Sequence, residues 1–141
     1  MASLFLGTMM IFNPLLLPLL ILVIQAHTAH AQMTTPAQLQ KAYETAAGSP
    51  AQIERGQAFF TSKHGADWSC ASCHGQRPTK VGKHAVTGKS IDSLAPAFNP
   101  KAFTDEHRVE KWFRRNCKDV TQRECTPGEK ADVLAWLQSL R

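Results

Sequence analysis

From Leu4 to Ile24 almost every position is apolar, and no lysine or arginine stands before Lys41. Beyond that run the apolar residues come at helical intervals. Pro36 to Ala47 predicts a short helix closed by Gly48. Ser49-Pro50 predicts a second helix with a serine N-cap and proline at its first position. In it Ile53, Gly56 and Phe60 share a face, with Phe59 beside them. Thr104 is placed to cap a third helix from Asp105 to about Asn116, in which Val109, Trp112, Phe113 and Asn116 fall at i, i+3, i+4, i+7. Thr126-Pro127-Gly128-Glu129 is a capping box with proline at N1. The terminal helix that follows has a broad apolar side of Val133, Leu134, Trp136, Leu137 and Leu140. No sustained alternation predicts a strand, so the expected fold class is all-α.

The first thirty-one residues stand apart from this pattern. Gln25 to His30 turns polar, and Ala29-His30-Ala31 is a small-x-small cleavage site before Gln32. That layout predicts a secretory signal peptide over residues 1–31 and a single domain over residues 32–141. Only the basic n-region is missing. Asn13, Pro14 and Pro18 break the apolar run and weigh against a stable spanning helix; an uncleaved anchor is the alternative. Export to the periplasm is the expected localisation.

Charge and loop composition add a further constraint. The formal net charge of +5 belongs wholly to the mature part. Arg77, Lys80, Lys83, Lys89 and Lys101 face a single acid, Asp92, between Gly75 and Lys101. Such a stretch is either an ordinary solvated surface or a docking face for an acidic partner. Export and the lack of a recognisable binding motif weigh against nucleic acid as a partner. The segment from His64 to Pro100 is rich in Gly, Pro, Ser and Lys and has no period. A loop of that length is foreign to a small domain unless it wraps something large. A domain of this size is also marginal without a staple or cofactor.

The chemistry is written in Cys70-Ala71-Ser72-Cys73-His74. C-x-x-C-H is the attachment signature of c-type haem: the thiols of Cys70 and Cys73 add to the vinyl groups, and His74 is placed to reach the iron as proximal axial ligand. A zinc site would need Cys117 and Cys125 as its other half, and their gap is too wide. A redox dithiol of the thioredoxin kind would need a βαβ context. One covalent haem c also explains the long segment that must wrap something. An amino-terminal helix, C-x-x-C-H, a wrapping loop and a carboxy-terminal helix together resemble the small class I cytochromes c. In that family the end helices cross in contact, a role suited to Gly56 and Phe60 against Trp136 and Leu137.

The sixth ligand is less obvious. Met1, Met9, Met10 and Met33 all precede Cys70, so the usual downstream methionine is absent. His107 lies about 200° around its helix from Val109 and belongs to the surface. His84, in the basic loop, is one candidate, and lysines of that loop are weaker ones. Asn116 ends an apolar helix face, where a buried amide costs about 1–3 kcal/mol without partners. It is either a ligand or the helix C-cap.

Lys111-Trp112-Phe113-Arg114-Arg115-Asn116-Cys117, followed by Arg123-Glu124-Cys125-Thr126-Pro127-Gly128-Glu129-Lys130, resembles the sphaeroides-haem-protein (SHP) type of monohaem cytochrome c. Thr87 to Pro96, T-G-K-S-I-D-S-L-A-P, is similar to it as well, and the likeness spans most of residues 36–141. The resemblance implies that Asn116 is a labile distal ligand of the oxidised haem, released on reduction, and that Cys117 and Cys125 form a disulfide beside it. It implies binding of oxygen or nitric oxide at the reduced haem, and electron donors of the dihaem cytochrome c and membrane cytochrome b kinds. Trp112 and Phe113 would then wall the haem pocket. The bridge is either a staple or a redox switch; as a staple it is worth roughly 2.5 kcal/mol of loop-closure entropy. Two other functions stay open: a plain electron carrier with His84 as fixed sixth ligand, and an enzyme acting on oxygen, peroxide or nitric oxide.

Overall fold

The computed structural model describes residues 33–65 and 67–141. The signal-peptide reading of residues 1–31 lies outside them. In chain order the elements are α1 (Pro36–Ala47), α2 (Ile53–Thr61), α3 (Ala71–His74), β1 (Gly82–Lys83), β2 (Ser90–Ile91), α4 (Glu106–Thr121) and α5 (Pro127–Ser139). No helix among the described residues is long and apolar enough to cross a membrane.

Helix α5 is the hub, crossing both α2 and α1. Its capping box is formed as the sequence predicts, Thr126 accepting from Glu129 and Pro127 at the start. Ala131, Val133, Leu134, Trp136, Leu137 and Leu140 are all buried, each large side chain contributing about 1.5–3 kcal/mol through the area it removes from water. At the α2 crossing Gly56 has no side chain because there is no room for one: a Cβ would strike the Asp132 carbonyl. The close approach lets Phe60 stack on Trp136, ring centroids 4.9 Å apart. The expected crossing of Gly56 and Phe60 with Trp136 and Leu137 is therefore present.

Several boundaries differ from the sequence reading. Helix α2 begins at Ile53, with Gln52 as an extended N-cap that makes no side-chain cap bond; Ser49 and Pro50 lie before it. The reason is tertiary. The Gln52 N–H donates to the buried Asp132 carboxylate at 2.7 Å, and the Ala51 N–H donates to Glu44 at 3.1 Å. These bonds hold the backbone extended through Gln52. Ile53 then points to solvent, not to the core face shared by Gly56 and Phe60.

Helix α4 is capped by Asp105, not Thr104, through a bond from the Arg108 N–H at 2.9 Å. It runs on past Asn116 to Thr121 and stops at Gln122 in the left-handed region. The C-cap reading of Asn116 is thereby excluded. The long middle segment is irregular, as expected, apart from α3 and one small hairpin. There β1 pairs antiparallel with β2, Gly82 opposite Ile91 and Lys83 opposite Ser90. Two-residue strands are too short to carry the alternation by which a strand is read. The Pro78 carbonyl closes the segment on itself by accepting from Ser93 Oγ at 2.8 Å and from the Leu94 and Ala95 N–H groups at 3.1 Å.

Candidate functional site

Helix α3 is a single turn whose residues are held from three sides. The Ser69 N–H donates to Ser72 Oγ at 3.0 Å, which starts the turn. Gly75 ends it with a positive φ of 81°, a conformation glycine adopts without the Cβ penalty. The hairpin then presses on its back. A Cβ on Gly82 would run into the Cys73 carbonyl and come within 3.1 Å of His74 Cα. The Ala85 N–H also lies 3.3 Å from Cys73 Sγ.

Cys70 and Cys73 take no part in a disulfide. Cys70 packs against the Phe60, Trp136 and Leu137 cluster, and burial pushes its thiol up to about 11. Burial likewise pushes His74 down to about 4. Its ring lies 6.1 Å from that of Phe60. His74 Nδ1 is buried with no hydrogen-bond partner among the described residues. Unpaired ring nitrogens of this kind are uncommon. Two cysteines outside any disulfide, one turn apart, and an adjacent buried imidazole are the set that attaches and ligates a covalent haem. Trp68 and Trp112, 41 % and 44 % exposed, offer apolar surface of the sort a porphyrin covers. The residues fit the group.

Helix α4 is held mostly by side chains. Val109 enters the cluster of Leu39, Tyr43, Ala131 and Leu134, and Phe113 packs against both core clusters. Asn116 is half-buried in the interior of α4. Trp112 shares its face but is largely exposed, its ring 5.8 Å from the Arg115 guanidinium carbon. Directly after Asn116, Cys117 is bonded to Cys125, with Cα atoms 5.6 Å apart. His107 is exposed, as predicted. His84 is exposed too, and its Nδ1 accepts from the Val86 and Thr87 N–H groups at 3.2 and 3.3 Å inside the hairpin turn.

A polar cluster behind α4 was not read from the sequence. Tyr43 donates to Glu110 at 2.5 Å, and Lys130 donates to the other Glu110 oxygen at 2.7 Å. Burial alone would raise the Glu110 carboxyl, but its bonds from Lys130 and Tyr43 outweigh that and hold it low. Burial first, then the bond to Glu110, pushes the Tyr43 hydroxyl well above its ordinary range. These three residues come from α1, α4 and α5, and no local spacing announces them. Asp132 did carry a signal, as a lone acid inside the apolar run of α5. It is buried and takes Arg55 through both Nε and, at 2.8 Å, Nη2.

Crossed end helices, a C-x-x-C-H turn between them and a wrapping segment define a c-type cytochrome. The chain is 50 % identical over 123 residues to the cytochrome c-type protein SHP of Cereibacter sphaeroides, a match covering 84 % of this chain and 95 % of that one. It belongs to the SHP family of cytochromes c, and it carries one covalently attached haem c. A family model described as a domain of unknown function (DUF1924) matches residues 46–137. Cytochrome c'' of Methylophilus methylotrophus is 45 % identical over 89 residues, 60 % of this chain and 62 % of that one. Among solved structures, that of oxidised SHP, described as an oxygen-binding cytochrome c, superposes with a TM-score of 0.71 at 54 % identity, covering 74 % of this chain and 96 % of that one. Oxidised cytochrome c'' from M. methylotrophus gives 0.69 at 37 % identity, covering 75 % of this chain and 94 % of that one.

Proposed function

We propose that this protein is an exported electron-accepting cytochrome that binds a small neutral ligand, oxygen or nitric oxide, once Asn116 has left its haem iron on reduction. The observation that carries the reading is the position of Asn116: half-buried inside α4, one residue before the Cys117–Cys125 bridge, in a chain without a methionine after Cys70. That a solved relative is described as an oxygen-binding cytochrome c supports it.

In this reading the thiols of Cys70 and Cys73 form the thioethers and His74 supplies the proximal imidazole. When bound, the haem would supply a one-electron redox centre with an exchangeable coordination position. Burial of His74 lowers its proton affinity, which would favour the neutral imidazole that a metal ligand must be. The Asn116 amide oxygen is a hard, neutral donor, suited to ferric iron and weak toward the softer ferrous ion. Once displaced, its NH₂ remains nearby as a hydrogen-bond donor. Phe113 and Trp112 would form the apolar wall of that side. Residues 1–31 direct export to the periplasm, where a Cys117–Cys125 disulfide persists. The electron donors are a dihaem cytochrome c or a membrane cytochrome b, by the family resemblance.

Replacing Asn116 with alanine tests this. The ferric spectrum should change to that of a five-coordinate or water-ligated haem, with covalent attachment intact. A ferric spectrum identical to the wild type would remove Asn116 from the iron. The fixed-ligand reading with His84 gains nothing from the geometry, because the His84 Nδ1 already holds its own turn.

A further inference from the structure

Among the described residues helix α4 makes no extensive backbone contact with the other helices; the close crossings are α2 with α5 and α1 with α5. Beside the packing of Val109 and Phe113, two ties fix where Asn116 stands, and both end in one six-residue segment. Just after Asn116, Cys117 is bonded to Cys125. Six residues before it, Glu110 takes the Lys130 ammonium at 2.7 Å. Between these two points α4 advances about 10 Å, so Asn116 is clamped from both sides.

The segment from Cys125 to Lys130 is itself stiff. Thr126 and Glu129 form the capping box of α5. Arg123 adds a two-pronged bond to Glu129, at 2.6 and 2.8 Å. The Lys130 end is more than an exposed ion pair, because its side chain is only 16 % exposed. Its Nζ lies 5.2 Å from the Tyr43 ring centroid and 5.7 Å from that of Phe113. Tyr43 meets Phe113 edge-on at 6.1 Å. Phe113 is one turn before Asn116 on the same face. One ammonium thus organises Glu110, Tyr43 and Phe113 together.

We propose that Lys130 and Glu110 are positioning residues, the second arm of a brace with the disulfide, and that this arm sets how readily Asn116 gives up its place to an incoming ligand. The inference rests on the reading of Asn116 as the labile ligand. It extends that reading to two residues outside the set of Cys70, Cys73, His74 and Asn116. Because α5 also packs through α2 toward the C-x-x-C-H turn, the brace refers Asn116 to the same core that carries Cys70.

The test is imidazole binding to the ferric holoprotein, followed spectroscopically in Lys130→Met, Glu110→Gln, Lys130→Arg and Asn116→Ala. Lys130→Met keeps the apolar stem and removes the charge. It should raise apparent imidazole affinity about fivefold, in the range found when residues remote from a ligand modulate it. Glu110→Gln should move it in the same direction, and Lys130→Arg should restore it toward wild type. Amide hydrogen exchange at residues 114–118 should quicken in Lys130→Met and Glu110→Gln alone. Thr35→Ala, which removes the side-chain cap of α1, provides a loss of melting temperature without a change in imidazole affinity. If Asn116→Ala raises the affinity while Lys130→Met and Glu110→Gln stay within twofold of wild type, the brace is refuted and the ligand reading stands. If Asn116→Ala changes nothing, both are refuted.

Discussion

Gly56 of α2 and Asp132 of α5 meet backbone to backbone, so closely that a methyl group on Gly56 would overlap the Asp132 carbonyl. The Asp132 carboxylate meanwhile holds the N–H of Gln52 and the guanidinium of Arg55, both on the α2 side. One residue therefore sets the depth of the crossing with its backbone and the start of α2 with its side chain. The turn bearing Cys70 packs on the cluster that this crossing builds.

Gly56→Ala should destabilise the holoprotein by about 1–3 kcal/mol, the usual cost of forcing extra volume into a packed contact. Denaturant unfolding followed by tryptophan emission measures it. A change under 0.5 kcal/mol would mean that the helices separate freely and that the crossing is not tightly set.

Gly82 plays the corresponding part at the haem turn, where a Cβ would collide with the Cys73 carbonyl. Gly82→Ala should displace the hairpin from α3 and lower the fraction of chains with covalent haem. Intact mass measured after export gives that fraction directly. An undiminished fraction would show that the hairpin yields without disturbing the thiols.

The acid limb of stability should follow two carboxylates. Arg123 holds Glu129 low, mainly through their hydrogen bond, and the bonds from Lys130 and Tyr43 hold Glu110 low against its burial. A depressed carboxyl stabilises the fold above its unfolded value, about 4.3, and that contribution disappears as pH falls through the lowered folded value. Melting temperature should thus be flat above about pH 5.5 and fall below about pH 4. Glu129→Gln should flatten the fall without affecting the plateau's pH independence. An identical acid slope in the variant would exclude Glu129 as a source.

Removing the bridge by Cys117→Ala with Cys125→Ala should cost roughly 2.5 kcal/mol, the closure entropy of its small loop. If the bridge is a staple, carbon monoxide affinity of the reduced protein will be the same with and without a mild thiol reductant. A difference would make it a redox switch of Asn116.

Much of this architecture was legible from the chain. Capping boxes, apolar spacing and C-x-x-C-H are local patterns, and the end helices, the wrapping segment and the donor set follow from them. What was misread is non-local. Ser49-Pro50 has the form of a helix start, but Asp132, eighty residues on, keeps Gln52 extended. Asn116 looked like a helix end because the apolar positions stop there, whereas buried Cys117, Val120 and Thr121 carry α4 onward. The Tyr43, Glu110 and Lys130 cluster joins three helices and has no signature in any one of them.

If Asn116 is the labile ligand, reduction opens the coordination position it held. Adding carbon monoxide to the dithionite-reduced holoprotein is then the decisive measurement. A labile Asn116 gives a one-to-one shift of the reduced Soret band and no response to carbon monoxide in the oxidised protein. A reduced spectrum that carbon monoxide leaves unchanged, as for a carrier with two fixed axial ligands, would contradict it.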